Sequence, residues 1–159
     1  MATATADLCD THIEKLTVML PMLSNFGSKA AFEGVIATVK VHEENKLVRE
    51  MLSQGGAGKV LVVDGGGSLR SALIGDQVAQ LAIDQGWAGI VVNGCIRDSA
   101  VIRKMAIGLF ALGTNPIRPA KNGFGLTNVP VSFGGVKFVP GEYLYADEDG
   151  IVVAASRFG

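Results

Sequence analysis

Apolar positions along this chain follow two rhythms. Between residues 35 and 112, short runs of branched apolar residues alternate with stretches whose apolar residues recur at helical spacing. Val35 to Val41 alternates branched apolar with small or polar residues, which predicts a half-buried strand. Leu47, Val48, Met51 and Leu52 then mark one face of a helix. Lys59 to Val63 and Ile90 to Asn93 are apolar runs of strand length, and Ile107 to Leu112 is another; Ser71 to Ile74 is a shorter one. Gln77 to Gln85 and Ser99 to Met105 read as helices, and Thr5 to Asp10 as a short helix with Thr5 as its cap. Pro21 to Lys29 and Thr114 to Asn128 read as loops.

From residue 129 only the period of two remains. Val129 to Phe133, Val136 to Val139, Tyr143 to Ala146 and Ile151 to Ala154 are short strands, separated by Gly134-Gly135, Pro140-Gly141 and Asp149-Gly150. They predict a meander of hairpins. The fold class is therefore α/β in the middle and β-rich at the end, a single domain over 1–159 without repeat or linker.

Composition narrows the function. Hydrophobic residues make up 48% of the 159 and charged residues 18%, so the chain is globular. A formal net charge of −1 gives no electrostatic case for direct nucleic-acid binding. No apolar run approaches the roughly 20 residues that span a bilayer, and Met1 to Asp10 has no signal-peptide pattern. Cys9 and Cys95 lack metal-type spacing and read as reduced thiols, so a cytoplasmic protein without a membrane partner is expected. His12 and His42 are too few for a zinc centre, and no Gly-x-Ser-x-Gly element marks a serine hydrolase.

The candidate chemistry lies between Gly75 and Asp98. Asp76 and Arg97 have twenty residues between them, filled by one helix, one turn and one strand, so the chain can return near its starting point. Asp76 and Asp98 each precede a helical run, where spacing alone favours aspartate as a cap over a ligand. Arg97 follows a strand's carboxyl end, where α/β folds bind ligands, and its alternative is an ion pair with Asp98 or Asp76. A guanidinium fork holds a carboxylate in two parallel hydrogen bonds. Paired carboxylates with room for water suit Mg²⁺. Together they fit a small 2-oxo acid. Asp64-Gly65-Gly66-Gly67-Ser68 is either an anion cradle or a structural turn built on Asp64. Asn45 is a helix cap or a ligand contact, and Lys121, in the Pro119–Gly123 stretch, is a solvated lysine or another such contact.

The chain resembles the family of regulator of ribonuclease activity A, which shares its fold with class II 4-hydroxy-4-methyl-2-oxoglutarate aldolases. The resemblance rests on Asp7-Leu8-Cys9-Asp10, Asn25-Phe26-Gly27, Val62 to Arg70, Gly94 to Asp98, Phe133 to Val136 and Tyr145-Ala146-Asp147. It implies a β/β/α swivelling-domain fold and a ring-shaped homotrimer. The family's aldolase signature, Asp, twenty residues, Arg-Asp, is intact as Asp76, Arg97 and Asp98. By resemblance, Asp98 ligates a divalent metal, Mg²⁺ or Mn²⁺, and Asp76 acts through metal-bound water. Arg97 binds the 2-oxo acid with backbone N–H groups around Gly75, Asp76 and Gln77, and Asn45 and Lys121 supply further substrate contacts. The implied reactions are retro-aldol release of pyruvate and decarboxylation of oxaloacetate. A methyltransferase reading lacks support, since no S-adenosylmethionine-type loop is evident.

One departure accompanies the resemblance. Longer aldolases of the family draw an acidic residue from a C-terminal extension, which a chain ending at Gly159 is expected to lack. Asp147, Glu148 and Asp149 are the acidic candidates near that end. The family name also implies a rival role, binding and inhibiting ribonuclease E. A third reading is an interaction scaffold whose aspartates only cap helices.

Overall fold

The computed structural model describes residues 3–159; Met1 and Ala2 of the N-terminal stretch lie outside the described residues. The elements run, in chain order, α1 (Thr5–His12), a single 3-10 turn (Ile13–Lys15), β1 (Leu16–Val18), β2 (Ser24–Asn25), β3 (Phe32–Lys40) and α2 (Lys46–Leu52). There follow β4 (Lys59–Asp64), β5 (Ala72–Ile74), α3 (Asp76–Asp84), β6 (Gly89–Asn93), β7 (Cys95–Ile96) and α4 (Ser99–Ile102). The last are β8 (Gly108–Ala111), β9 (Gly113–Thr114), β10 (Leu126–Thr127), β11 (Val131–Phe133), β12 (Val136–Phe138), β13 (Tyr143–Asp147) and β14 (Gly150–Ala154). No described helix is long and apolar enough to cross a membrane.

A large sheet of order β1-β14-β13-β3-β4-β6-β8-β2 divides the molecule, with β10 paired to β3. Its centre, β3-β4-β6-β8, is parallel. Side-chain alternation along these strands feeds two cores, one on each face. Leu61, Val63, Ile90 and Val92 point to one face and meet α2, α3 and α4 through Val48, Leu52, Val78, Ala82 and Ile102. Val60, Val62 and Val91 point to the other face and meet Val131, Val136 and Phe138 of the β11–β12 hairpin. The layers are hairpin, sheet and helices, the β/β/α order expected.

The tail differs from a simple meander. Its two hairpins separate: β11–β12 forms the outer layer, while β13–β14 enters the main sheet between β3 and β1. β3 also begins three residues earlier than its alternation suggested. Phe32 starts it because Gly89 and Gly108 leave space there; a Cβ at either glycine would come within 2.4 Å of the Phe32 ring. Thr5 is not the cap of α1. Ala4 holds the cap position, and the Thr5 N–H and hydroxyl both donate to the Asp147 carboxylate, each at 2.7 Å. That bond ties the first helix to the far end of the chain.

Candidate active site

Three very short strands place the site. β5, β7 and β9 form a separate parallel sheet in which Ile74 pairs with Ile96 and Ile96 with Thr114. β5 leads into Gly75-Asp76 and β7 into Arg97-Asp98, so the two segments leave neighbouring strands at one level. The Arg97 N–H donates to Ile74 O at 2.9 Å and locks that level. The twenty intervening residues are a crossover through α3 and β6, and the sequence expectation of convergence holds.

Asp76, Arg97 and Asp98 line one cavity of about 400 Å³, together with Gly75, Gln77 and Asn45. Lys121 lines it too, as do two arginines not foreseen, Arg49 and Arg118. Arg49 stands on α2 one turn beyond Asn45, and the apolar periodicity of that helix gives no sign of it. Arg118 comes from the segment read as loop. That segment is pinned on both sides, by Ala72 N–H to Ile117 O at 2.8 Å and by Ala120, which exchanges backbone hydrogen bonds with Glu43 and Asn45. The stretch around Lys121 is thus a cavity wall.

The capping readings of the two aspartates do not hold as expected. α3 takes Gly75 as its cap, with Asp76 as first helical residue, and α4 follows Asp98 without any side-chain cap bond from it. Asp98 sits in the left-handed region, φ +57° and ψ +37°, a conformation aspartate tolerates better than most residues. This turns its carboxylate back onto α3, where Oδ2 accepts the Asp76 N–H at 3.1 Å. One of the three backbone N–H groups expected to face the substrate is thereby engaged. The Gln77 N–H, in the first turn of α3, has no intrahelical acceptor.

Arg97 forms no ion pair with Asp76 or Asp98; among the described residues, ion pairs occur only on Glu33 and Glu43. Arg49, Arg97, Arg118 and Lys121 therefore face the cavity as four cations without protein counter-ions. Asn45 is not a side-chain cap either. Its Nδ2 donates to Leu73 O at 3.0 Å, tying α2 to β5, while its Oδ1 is buried without a partner. The Arg49 Nε is likewise buried and unpartnered.

The glycine turn is structural. The Gly65 and Gly67 N–H groups both donate to Asn93 O at 3.1 Å, and the Gly66 N–H to Asp64 Oδ1 at 2.9 Å. No N–H of those three glycines is left for an anion, and the turn does not line the cavity. Asp147, Glu148 and Asp149 do not line it either. No group of three or more His, Cys, Asp or Glu among the described residues forms a metal cluster. The donor set that is present, two carboxylates at an open mouth, suits Mg²⁺, which keeps several waters and takes only one or two protein carboxylates.

A family model described as Aldolase/RraA matches residues 5–153. The chain belongs to the RraA-like family. It is 53% identical over 152 residues to a protein of Aromatoleum aromaticum, provisionally named 4-hydroxy-4-methyl-2-oxoglutarate aldolase, with 96% of each chain covered. A relative from Azotobacter vinelandii bearing the same provisional name is 54% identical, over 97% of this chain and 95% of that one. Among solved structures, the RNA-processing inhibitor RraA of Thermus thermophilis superposes with a TM-score of 0.96 at 43% identity, covering 100% of this chain and 96% of that one. A Geobacillus kaustophilus structure titled as a dimethylmenaquinone methyltransferase gives the same score at 50% identity, over 98% and 97% of the two chains. The RraA-like fold thus extends over nearly the whole chain.

Proposed function

We propose that this protein is a divalent-metal-dependent lyase that releases pyruvate from 4-hydroxy-4-methyl-2-oxoglutarate and decarboxylates oxaloacetate. The observation that carries the reading is the convergence of Asp76, Arg97 and Asp98 on one cavity lined by unpaired cations. The names of relatives at 53–54% identity agree with it.

Both reactions break the C3–C4 bond of a 2-oxo acid and leave the electron pair as a pyruvate enolate. In the aldol case the C4 hydroxyl loses its proton and a carbonyl product departs; in oxaloacetate, CO₂ departs. Arg97 is suited to grip the C1 carboxylate and C2 oxygen through its planar fork, holding the scissile bond in a fixed orientation. Its charge, with the Gln77 N–H at the positive end of α3, favours the negative charge that develops at C2. Asp98 is the metal ligand in this reading, with Asp76 beside it. A bound Mg²⁺ or Mn²⁺ supplies Lewis-acid polarisation of the C2 carbonyl. The Asp76 N–H holds one Asp98 carboxylate oxygen, so that Asp98 enters the reaction already oriented.

The test is pyruvate release from each substrate with Mg²⁺ or Mn²⁺, in wild type and Asp98→Ala. Absence of release from metal-loaded protein, or full release by the variant, overturns the reading. A homotrimer belongs to the same proposal and is checked by light scattering.

A second reading, inhibition of an endoribonuclease of the RNase E type, draws on the Thermus thermophilis inhibitor as a structural neighbour. It is tested by nuclease assays with wild type and Asp98→Ala. Equal inhibition by both places that role on another surface; no binding to the nuclease removes it.

A further inference from the structure

One carboxylate outside the cavity ties together the segments around it. Glu43 stands between β3 and α2, and its side chain reaches the glycine-rich turn after β4. Ser68 Oγ and Arg70 Nε both donate to Glu43 Oε2, each at 2.6 Å. These bonds, that from Arg70 foremost, hold the carboxyl below its usual range. An exposed ion pair contributes little by itself, and the Arg70 side chain is 75% exposed. Glu43 differs from such a pair in its main chain. Its φ is +55°, a conformation unfavourable for glutamate that persists only where the surroundings hold it.

That strained residue supports a wall of the cavity. Glu43 O accepts the Ala120 N–H at 3.0 Å, and Ala120 O accepts the Asn45 N–H at 3.2 Å. Ala120 lies between Pro119 and Lys121, both of which line the cavity. Upstream, the segment has other supports: the Ala72 N–H donates to Ile117 O, and Asn115 Nδ2 to Leu69 O. Downstream, Lys121 to Phe124 make no backbone hydrogen bond, and the chain is next held where β10 pairs with β3 at Leu126. Ala120 is thus the fixed point on which the place of Lys121 depends.

We infer that Glu43 is a positioning residue for the cavity: clamped by Ser68 and Arg70, it holds Ala120 in place and so sets Lys121 against the bound acid. It acts through its backbone carbonyl and does not itself line the cavity. The inference rests on the lyase reading for the acid in the cavity, but it is read from exchange and binding and does not need turnover.

The experiment combines amide hydrogen exchange with calorimetric titration of the Mg²⁺-loaded protein by pyruvate. Glu43→Ala is expected to speed exchange at Ala120 about tenfold or more, with the β4 and β6 amides unchanged as the sign of an intact fold. Arg70→Met, which opens the clamp from its exposed side, moves Ala120 in the same direction. Glu43→Gln keeps an acceptor oxygen of the same reach and retains part of the protection. Lys121→Met and Glu43→Ala are each expected to weaken pyruvate about tenfold, and together little more than either alone, since both remove one contact. The cycle is repeated with Arg70→Met, so its outcome does not depend on Glu43→Ala folding. A merely structural role for Glu43 leaves the losses additive. Additive losses overturn the inference, as do wild-type exchange at Ala120 in both clamp variants or a Lys121→Met that binds pyruvate as wild type does. Pyruvate release is measured separately, so coupled losses in a protein that releases none refute the lyase reading and not this one.

Discussion

The carboxylate of Asp98 accepts the backbone N–H of Asp76 at 3.1 Å, across a helix boundary it was expected to cap on its own side. The left-handed backbone of Asp98 makes the reach possible. Asparagine tolerates that conformation and retains an acceptor oxygen. Asp98→Asn is therefore expected to unfold at the wild-type temperature while lyase activity falls about a hundredfold or more. Asp98→Ala adds a backbone cost of about 1 kcal/mol. Thermal unfolding and pyruvate release on both variants check this.

Gly75 separates the same groups. A Cβ there would lie 2.7 Å from Asp98 Oδ2 and 3.5 Å from Arg97 Nε. Its own backbone, φ −116° and ψ −169°, is open to any residue, so alanine is not resisted by the main chain. Gly75→Ala should push the Asp98 carboxylate off the α3 terminus, with activity falling about tenfold or more and little change in stability. Comparing kcat/KM with the melting temperature separates this displacement from simple unfolding.

Asp147 predicts a pH dependence. Burial works against its ionisation, but hydrogen bonds from the Thr5 side chain and N–H, and from the Asp149 and Gly150 N–H groups, outweigh it and hold the carboxyl below its usual range. A lowered folded value means that the stabilisation is complete above the unfolded value, about 3.9, and is lost as pH falls through the folded one. Asp147→Asn should cost about 1 kcal/mol at neutral pH, a figure discounted for solvent exposure. The gap from wild type should narrow as pH falls below about 4. Denaturant melts at pH 7 and pH 3 read it directly.

Phe32 fills the space over two glycines of neighbouring strands and is 2% exposed. Phe32→Ala is expected to cost about 3–5 kcal/mol. Gly89→Ala, which forces a methyl into the ring, should cost about 1–3 kcal/mol. The site lies beyond the opposite face of the sheet, so surviving folded protein keeps its KM. Urea melts with parallel kinetics test both halves.

Much of this was legible in the sequence because strong patterns produced it. The apolar runs of β4 and β6 are long enough to announce buried strands, and the β6 run ends just before the Gly94–Asp98 stretch that carries Arg97 and Asp98. β7 and β9, at two residues each, are too short to carry a period. Arg49 and Arg118 were invisible for a different reason: α2 reads through its apolar face, and a loop arginine has no signature until Ile117 and Ala120 are seen pinned. The aspartates misled because a residue before a helix normally caps that helix, and only the positive φ of Asp98 redirects it to another.

The pairing of Ile74 with Ile96 has a consequence for how such sites change over evolutionary time. Arg97 stands beside Asp76 because their strands are neighbours, not because twenty residues lie between them. A residue inserted at Gln85-Gly86, far along the arc, lengthens the path without moving either end. One inserted between Ile96 and Arg97 turns the guanidinium to the other side of the strand. The spacing is thus free to drift while the three side chains still meet, whereas the two-residue strand before the arginine is where a single insertion or deletion parts them.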